Sequence, residues 1–198
     1  KMYDYLNYEV SKFRRQEVRS KPRDNNHLYD LASFFYSHEL YYQNIILVGG
    51  HRYAFDPLFS KHPNTFSYLY PRPFFSEVKR RSKSANIDPY LLYAIARQES
   101  LFNPLAKSWV GAKGLMQLMN KTANSLDREL NIKSNLFNPE DNINLGTFYL
   151  MKLMKRFDNN IPSVLAAYNG GPHNVELWRE RFAGVDDDEF VENIPFKE

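Results

Sequence analysis

Apolar positions in this chain recur at intervals of three and four, never in sustained alternation, so the pattern predicts helices throughout. The clearest run opens at Asp88, a good N-cap, with Pro89 at the first helical position, where a missing N–H costs nothing. Leu92, Ile95, Ala96 and Glu99 follow on one face, and Asn103-Pro104 is expected to end the helix by pushing the chain out of the α region. Upstream, Tyr5, Tyr8, Val10 and Phe13 recur at a rough helical spacing until Lys21-Pro22. Leu28, Leu31, Phe34 and Phe35 predict a second helix over 26–38, and the apolar stretch 44–48 stops at Gly49-Gly50. Pro57, Pro63, Pro71 and Pro73 then stand too close together for any long element. Residues 76–85 predict a charged amphipathic helix. Residues 115–130, LMQLMNKTANSLDREL, predict a helix with a restart at Thr122 as N-cap. Asn138-Pro139-Glu140-Asp141 sets a cap, a proline and two acids at the positive end of a core helix that ends near Phe157. Pro162 opens another, closed by Gly170-Gly171-Pro172, and a further helix covers 173–182 before the acidic run 186–189. The class is all-α, with a helical linker region at 1–74 and a second unit at 75–198.

Composition narrows what such a bundle can be. The 198 residues suffice for one domain, or one with an appendage, burying roughly 70% of the unfolded surface. Fourteen Tyr and fifteen Phe in a chain of polar mean hydropathy suit aromatic-lined helices or a sugar-binding groove. The absence of cysteine excludes a disulfide framework and a thiolate metal site. No run approaches about 18 apolar residues, so no membrane span is expected. The start, KMYDYLNYEV, has no apolar signal-peptide core and begins at Lys, as expected of a processed or excised piece. Net charge is +3, with basic clusters at 12–23 and 79–83. Glu9, Glu17, Asp24 and Glu77 interleave with them, which favours solvated helix faces over a nucleic-acid surface.

The candidate chemistry centres on Glu99. It is a carboxylate on an otherwise apolar stripe, in the last turn of its helix, where the dipole disfavours negative charge. Desolvation and dipole together are expected to raise its pKa towards a neutral acid near physiological pH. On spacing alone, the commoner fate of such a residue is solvation, or pairing with Arg97 or Lys107. Glycan cleavage by most glycosidases needs a second carboxylate as nucleophile or base. No Asp or Glu occurs between Glu99 and Asp127, and Asp88 lies about 16 Å away along the helix. A local pair is therefore excluded, although Asp141 or Glu192 could arrive from afar. One isolated acid suits a substrate that supplies its own nucleophile. His27, His38, His51, His62 and His173 are too scattered for a close ligand pair, so no metal is expected. Gly111-Ala112-Lys113-Gly114 is too short for a phosphate loop, and its glycines are expected to let backbone approach a ligand. Tyr168-Asn169-Gly170-Gly171 reads equally well as a helix C-cap.

Four blocks in order, AIARQES, KSWVGAKGLMQLM, AAYNGG and FVENIPF, together resemble the signature blocks of soluble lytic murein transglycosylases. NPEDNINLGTFYL also resembles the family's segment between the second and third blocks. The similarity covers roughly residues 75–198, and the aromatic helices before it resemble, more loosely, the family's linker domain. The resemblance implies a helical fold akin to goose-type lysozyme and cleavage of the β-1,4 bond between N-acetylmuramic acid and N-acetylglucosamine. It implies Glu99 as the sole catalytic acid, which then acts as the base while the muramoyl C6 hydroxyl closes a 1,6-anhydro ring. By the same resemblance Ser108 polarises the acetamido region, Gln117 and Met119 contact sugars in the groove, and the Tyr168 hydroxyl lies near the acid. Asn169 follows Tyr168 in its block, and Glu192 matches a groove glutamate that serves as a stem-peptide contact.

The resemblance further implies a monomer in the periplasm, associated with the cell envelope, acting on peptidoglycan strands and muropeptides without metal, cofactor or nucleic acid. Three departures are visible. Asn120-Lys121 replaces Pro-Gly or Pro-x, Gly171 stands where Ala and Gly alternate, and the chain stops at Glu198 where the last block continues into a further helix. That truncation is expected to leave the groove more open. The rival expectations are a lysozyme-type hydrolase and a non-catalytic cell-wall-binding module.

Overall fold

The computed structural model describes residues 2–20 and 25–195, with side chains from residue 8 onward. Among them the chain forms eleven α-helices, one 3-10 turn and no strand. Lys21-Pro22, the expected terminator of the first helix, lies outside the described residues. Helix α1 (Met2–Ser20), α2 (Asn25–Ser37), α3 (Tyr41–Gly50) and α4 (Arg52–Lys61) come first, followed by a 3-10 turn, Pro63–Tyr68. As the proline spacing suggested, no long element forms here: α4 has ten residues and the turn after it six. Pro57 sits inside α4, with Ala54, Phe55 and Phe59 buried around it. Leu28, Leu31, Ala32 and Phe35 of α2 and Ile45, Leu47 and Val48 of α3 supply the apolar centre here.

Helices α5 (Phe75–Ala85), α6 (Pro89–Ser100), α7 (Asn120–Leu130), α8 (Pro139–Arg156), α9 (Ile161–Gly170), α10 (Pro172–Arg181) and α11 (Asp187–Glu192) follow. Helix α8 packs against α5, α7 and α9, and α9 in turn against α10. Predicted caps form where the sequence put them. Asp88 accepts from the Tyr90 N–H at 2.8 Å, and Asn138 from the Asp141 N–H at 3.1 Å. The last three helices are tied by Arg179, which donates to Ser163 Oγ at 2.8 Å, Asn160 Oδ1 at 2.8 Å and Asp187 Oδ1 at 2.6 Å. Its guanidinium lies 3.6 Å from the Phe190 ring centre, so one cation joins α9, α10 and α11. In α5, Glu77 is buried by area and takes both Arg80 and Arg81. Burial opposes its ionisation, but these two partners outweigh it and hold its pKa below the usual carboxylate range.

Between α6 and α7 one expectation holds by another cause and one is corrected. First, α6 stops soon after Glu99 as expected, at Ser100, but what turns the chain there is Leu101 and Phe102, left-handed at φ 49° and 64°, rather than Asn103-Pro104. Such backbone costs about 1–2 kcal/mol per residue and needs support from its surroundings. Burial of Phe102 provides some of it. Second, LMQLM is not helical and Thr122 is not an N-cap; α7 begins at Asn120 after Met119. The helix cannot start earlier because Gln117 sits at φ 45° and Gly114 at φ 78°. Lys113 and Leu118 exchange two backbone hydrogen bonds of 3.0 Å, closing a tight loop.

Asn142 of α8, wholly buried, holds that loop. Its Oδ1 accepts from the Met116 N–H at 2.8 Å, and its Nδ2 donates to the carbonyls of Lys113 and Leu136 at 3.0 and 2.9 Å. The expectation that Gly114 lets backbone approach a ligand is overturned: what it approaches is the protein itself. A Cβ there would stand 2.1 Å from the Leu136 oxygen and 2.2 Å from Asn142 Nδ2. Gly146, one turn along α8, gives Met116 its seat, since a Cβ would meet the sulfur at 2.3 Å.

Asn142→Ala would leave the Met116 N–H and the Leu136 carbonyl unpaired in the interior, each costing about 1–3 kcal/mol, while the Lys113 carbonyl keeps its bond from the Leu118 N–H. The expected loss is about 3 kcal/mol or more, a fall in Tm of roughly 6–12 °C at this chain length. Thermal unfolding followed by circular dichroism measures it.

Candidate active site

Helix α6 delivers Glu99 to the mouth of a cleft of about 350 Å³. Leu91, Ala94, Ile95 and Gln98 of the same helix form one wall, and Leu165, Tyr168 and Asn169 of α9 form the other. Glu99 is the only Asp or Glu among the described residues lining it. It is half-buried, less so than Leu92, Ile95 and Ala96 on the same face, so the stripe is apolar within the core and carboxylate at the cleft edge. Next to it, Ser100 Oγ lies 3.0 Å from the Ala96 carbonyl and 2.8 Å from that of Leu115, fastening the end of α6 to the loop.

Tyr168 crosses from α9 to the same loop, its hydroxyl donating to the Met116 carbonyl at 2.8 Å. Its ring stands 5.4 Å from that of Tyr149 on α8. Burial holds the Tyr168 phenol well above its usual pKa, and the nearby Glu99 carboxylate pushes the same way. The phenol is therefore a permanent donor near the acid. The loop's central residue Met116 is thus fixed from three sides: Asn142 on its N–H, Tyr168 on its carbonyl and Gly146 under its side chain.

Of the sequence-predicted site residues, Glu99, Tyr168 and Asn169 share the cleft, while Ser108, Gln117, Met119 and Glu192 lie outside its walls. Ser108 Oγ accepts from the Ala112 N–H at 2.9 Å, leaving its own proton to donate. Gln117 spends its amide NH₂ on the carbonyls of Ala106 and Gly114, at 3.2 and 2.8 Å, and keeps its oxygen as an acceptor. Met119 is exposed at the start of α7, and Glu192 is exposed at the end of α11. The C-cap reading of Tyr168-Asn169-Gly170-Gly171 also holds, for Gly171 at φ 84° closes α9 with a 3.0 Å bond to the Ala167 carbonyl.

Sequence reasoning gave no role to Asn142 or Gly146. Both left a signal: an amide beside Ile143 on a core helix needs partners, and a helix-interior glycine costs about 1 kcal/mol unless something packs where its side chain would be.

A helical bundle around a cleft with one carboxylate at a helix end is a lysozyme-like domain. Residues 76–191 match the family model described as the transglycosylase SLT domain, and the chain belongs to that family. It is 42% identical over 135 residues to the soluble lytic murein transglycosylase of Escherichia coli (strain K12), covering 65% of this chain and 21% of that protein. Among solved structures, the 70 kDa soluble lytic transglycosylase of Escherichia coli matches with a TM-score of 0.80 and 32% identity, over 98% of this chain and 31% of that one. An inactive mutant of the lytic transglycosylase Slt from Pseudomonas aeruginosa matches with a TM-score of 0.78 and 29% identity, over 99% and 31%. The chain therefore spans about a fifth of the curated relative and under a third of these two solved chains.

The raised Tyr168 pKa has a thermodynamic sign. Its contribution to stability is complete below the ordinary tyrosine pKa of about 10 and is lost as pH rises through the higher folded value. Tyr168→Phe is expected to cost about 1–2 kcal/mol near neutrality, through the unpaired Met116 carbonyl, and to flatten the loss of stability above about pH 10. Urea titrations at neutral and alkaline pH check both.

Proposed function

We propose that this domain cleaves the β-1,4 bond between N-acetylmuramic acid and N-acetylglucosamine in peptidoglycan as a lytic transglycosylase. Glu99 is its single general acid and then base. The observation that carries this reading is a cleft with one carboxylate and no second Asp or Glu in its described walls, on a fold of the SLT family. Paired-carboxylate glycosidases keep their two groups about 5–5.5 Å apart when retaining and about 6.5–9.5 Å apart when inverting. In this cleft the nucleophile must come from elsewhere, and the substrate carries one.

In the proposed reaction, Glu99 gives its proton to the glycosidic oxygen as the bond to C1 breaks. The resulting carboxylate takes the proton of the muramoyl C6 hydroxyl, whose oxygen then bonds to C1. No water enters, and Glu99 ends as it began. Leu91, Ile95 and Leu165 give the cleft an apolar wall, and the Tyr168 phenol, its proton donated to the Met116 carbonyl, ties the loop down beside the reacting group. Ser108, with its proton free to donate, serves the acetamido group of the same sugar. The Gln117 oxygen, exposed Met119 and Asn169 contact the strand, and Glu192 meets its peptide. The site of action is the periplasm, at the cell wall, and the chain works as a monomer.

The relatives support this as far as their names go, being lytic murein transglycosylases. The Pseudomonas neighbour is an inactive mutant carrying one glutamate-to-glutamine exchange, which suits a mechanism with a single essential acid.

Glu99→Gln keeps the shape and removes the proton donor. It is expected to lower turnover by about 10²–10⁴-fold, while co-sedimentation with insoluble peptidoglycan stays as in the wild type. Near-normal turnover would assign the proton to another group.

A further inference from the structure

The two tryptophans of the chain sit in opposite surroundings. Trp178 of α10 is partly buried against the core, whereas Trp109 is 97% exposed, with Val110 exposed beside it. An indole is among the largest apolar surfaces a side chain has, and it is ordinarily covered. The backbone that carries Trp109 is fixed. The Ser108 N–H donates to the Ala112 carbonyl at 3.0 Å, the Gly111 N–H to the Ser108 carbonyl at 3.0 Å, and the Ala112 N–H to Ser108 Oγ at 2.9 Å. Gly111, at φ 93°, supplies the left-handed step that a three-residue turn of this kind needs. At the foot of the turn Lys113 pairs with both Lys107 and Leu118. Further along, Ser100 ties the Leu115 carbonyl to the end of α6. The indole is therefore held out in water by a turn that is continuous with the loop beside Glu99.

A rigid aromatic surface binds at low entropic cost, because the backbone under it is already ordered. Position and charge say what it meets. Trp109 follows Ser108, about 3.8 Å along the backbone, and in the proposed reaction the free hydroxyl proton of Ser108 serves the acetamido group of the muramoyl unit. On either side of that unit an alternating strand carries N-acetylglucosamine. Its pyranose ring presents a face of C–H bonds, which packs on the negative π face of an indole. Charge agrees with this partner. Residues 100–126 contain Lys107, Lys113 and Lys121 and no Asp or Glu, so a polymer bearing peptide carboxylates is attracted rather than repelled.

We propose that Trp109 is a stacking platform for the N-acetylglucosamine unit next to the muramoyl unit that reacts. This rests on the peptidoglycan reading above, and it extends the substrate contact from the Glu99 cleft to the tip of the 108–112 turn. A ring stacked away from the breaking bond is held equally in the ground state and the transition state. Losing the platform therefore weakens binding and raises KM while kcat stays nearly unchanged.

Fluorescence and calorimetric titrations with N-acetylchitopentaose test it, since that oligosaccharide has the rings and acetamido groups without a stem peptide. In the wild type the sugar is expected to shift indole emission to the blue and to protect it from acrylamide quenching. Both changes should vanish in Trp109→Phe, which leaves Trp178 as the only indole. By calorimetry Trp109→Ala is expected to bind about tenfold more weakly, and its kcat/KM on peptidoglycan strands to fall about tenfold through KM. Trp109→Phe should recover most of both. All three proteins should unfold at the same temperature, because the indole stands outside the core, so weaker binding could not be blamed on the fold. Unshifted emission, or an unchanged kcat/KM in Trp109→Ala, overturns the proposal even if strands are cleaved. A blue shift caused by phosphatidylglycerol vesicles but not by the sugar, or by raising the protein concentration alone, assigns the indole to a lipid surface or a second copy and overturns it too. Binding of the sugar that depends on Trp109, without cleavage of peptidoglycan, sustains the platform and overturns the transglycosylase reading instead.

Discussion

The amide of Asn142 is the constraint on which the cleft depends. Three backbone groups from two separate loops converge on one side chain that has no access to water. It adds polar ties to the burial of Leu115, Met116 and Leu118 against α8, for the 106–118 loop's own closure amounts to a few backbone bonds around left-handed residues. With it in place, Met116 presents a carbonyl that Tyr168 reaches and Leu115 presents one that Ser100 reaches. The neighbours of Glu99 are thereby fixed through α8, an element that contributes nothing to the cleft wall itself.

The helices were legible in the sequence because their signals are local. Asp88-Pro89 and Asn138-Pro139 each combine a capping side chain with a proline at the first helical position, and both helices begin there. The loop was not legible, for LMQLM has helical composition and no proline or glycine inside it. What unwinds it is tertiary: an amide from residue 142 and positive φ at Gln117, neither of which shows in a window of sixteen residues. Pro57 is tolerated inside the short helix α4, since its buried face outweighs one lost backbone bond.

The candidate site was legible in part for the same reason. Glu99 stands out as an acid on an apolar stripe, and Tyr168 and Asn169 precede a pair of glycines. Their convergence across the cleft is a property of how α9 packs on α8. Sequence patterning also singled out the carboxylate while passing over Tyr93 on the same helix, which reads as one more core aromatic until its hydroxyl is seen to lack a partner.

In the proposed reaction one carboxylate does the work of two because the substrate brings its own nucleophile. Mass spectrometry of the products released from purified peptidoglycan tests that most directly. Muropeptides one water lighter than hydrolysis products, ending in a 1,6-anhydro ring, are the predicted result. Reducing ends of ordinary mass would contradict it, since water would then have been the nucleophile and the cleft would have to activate it.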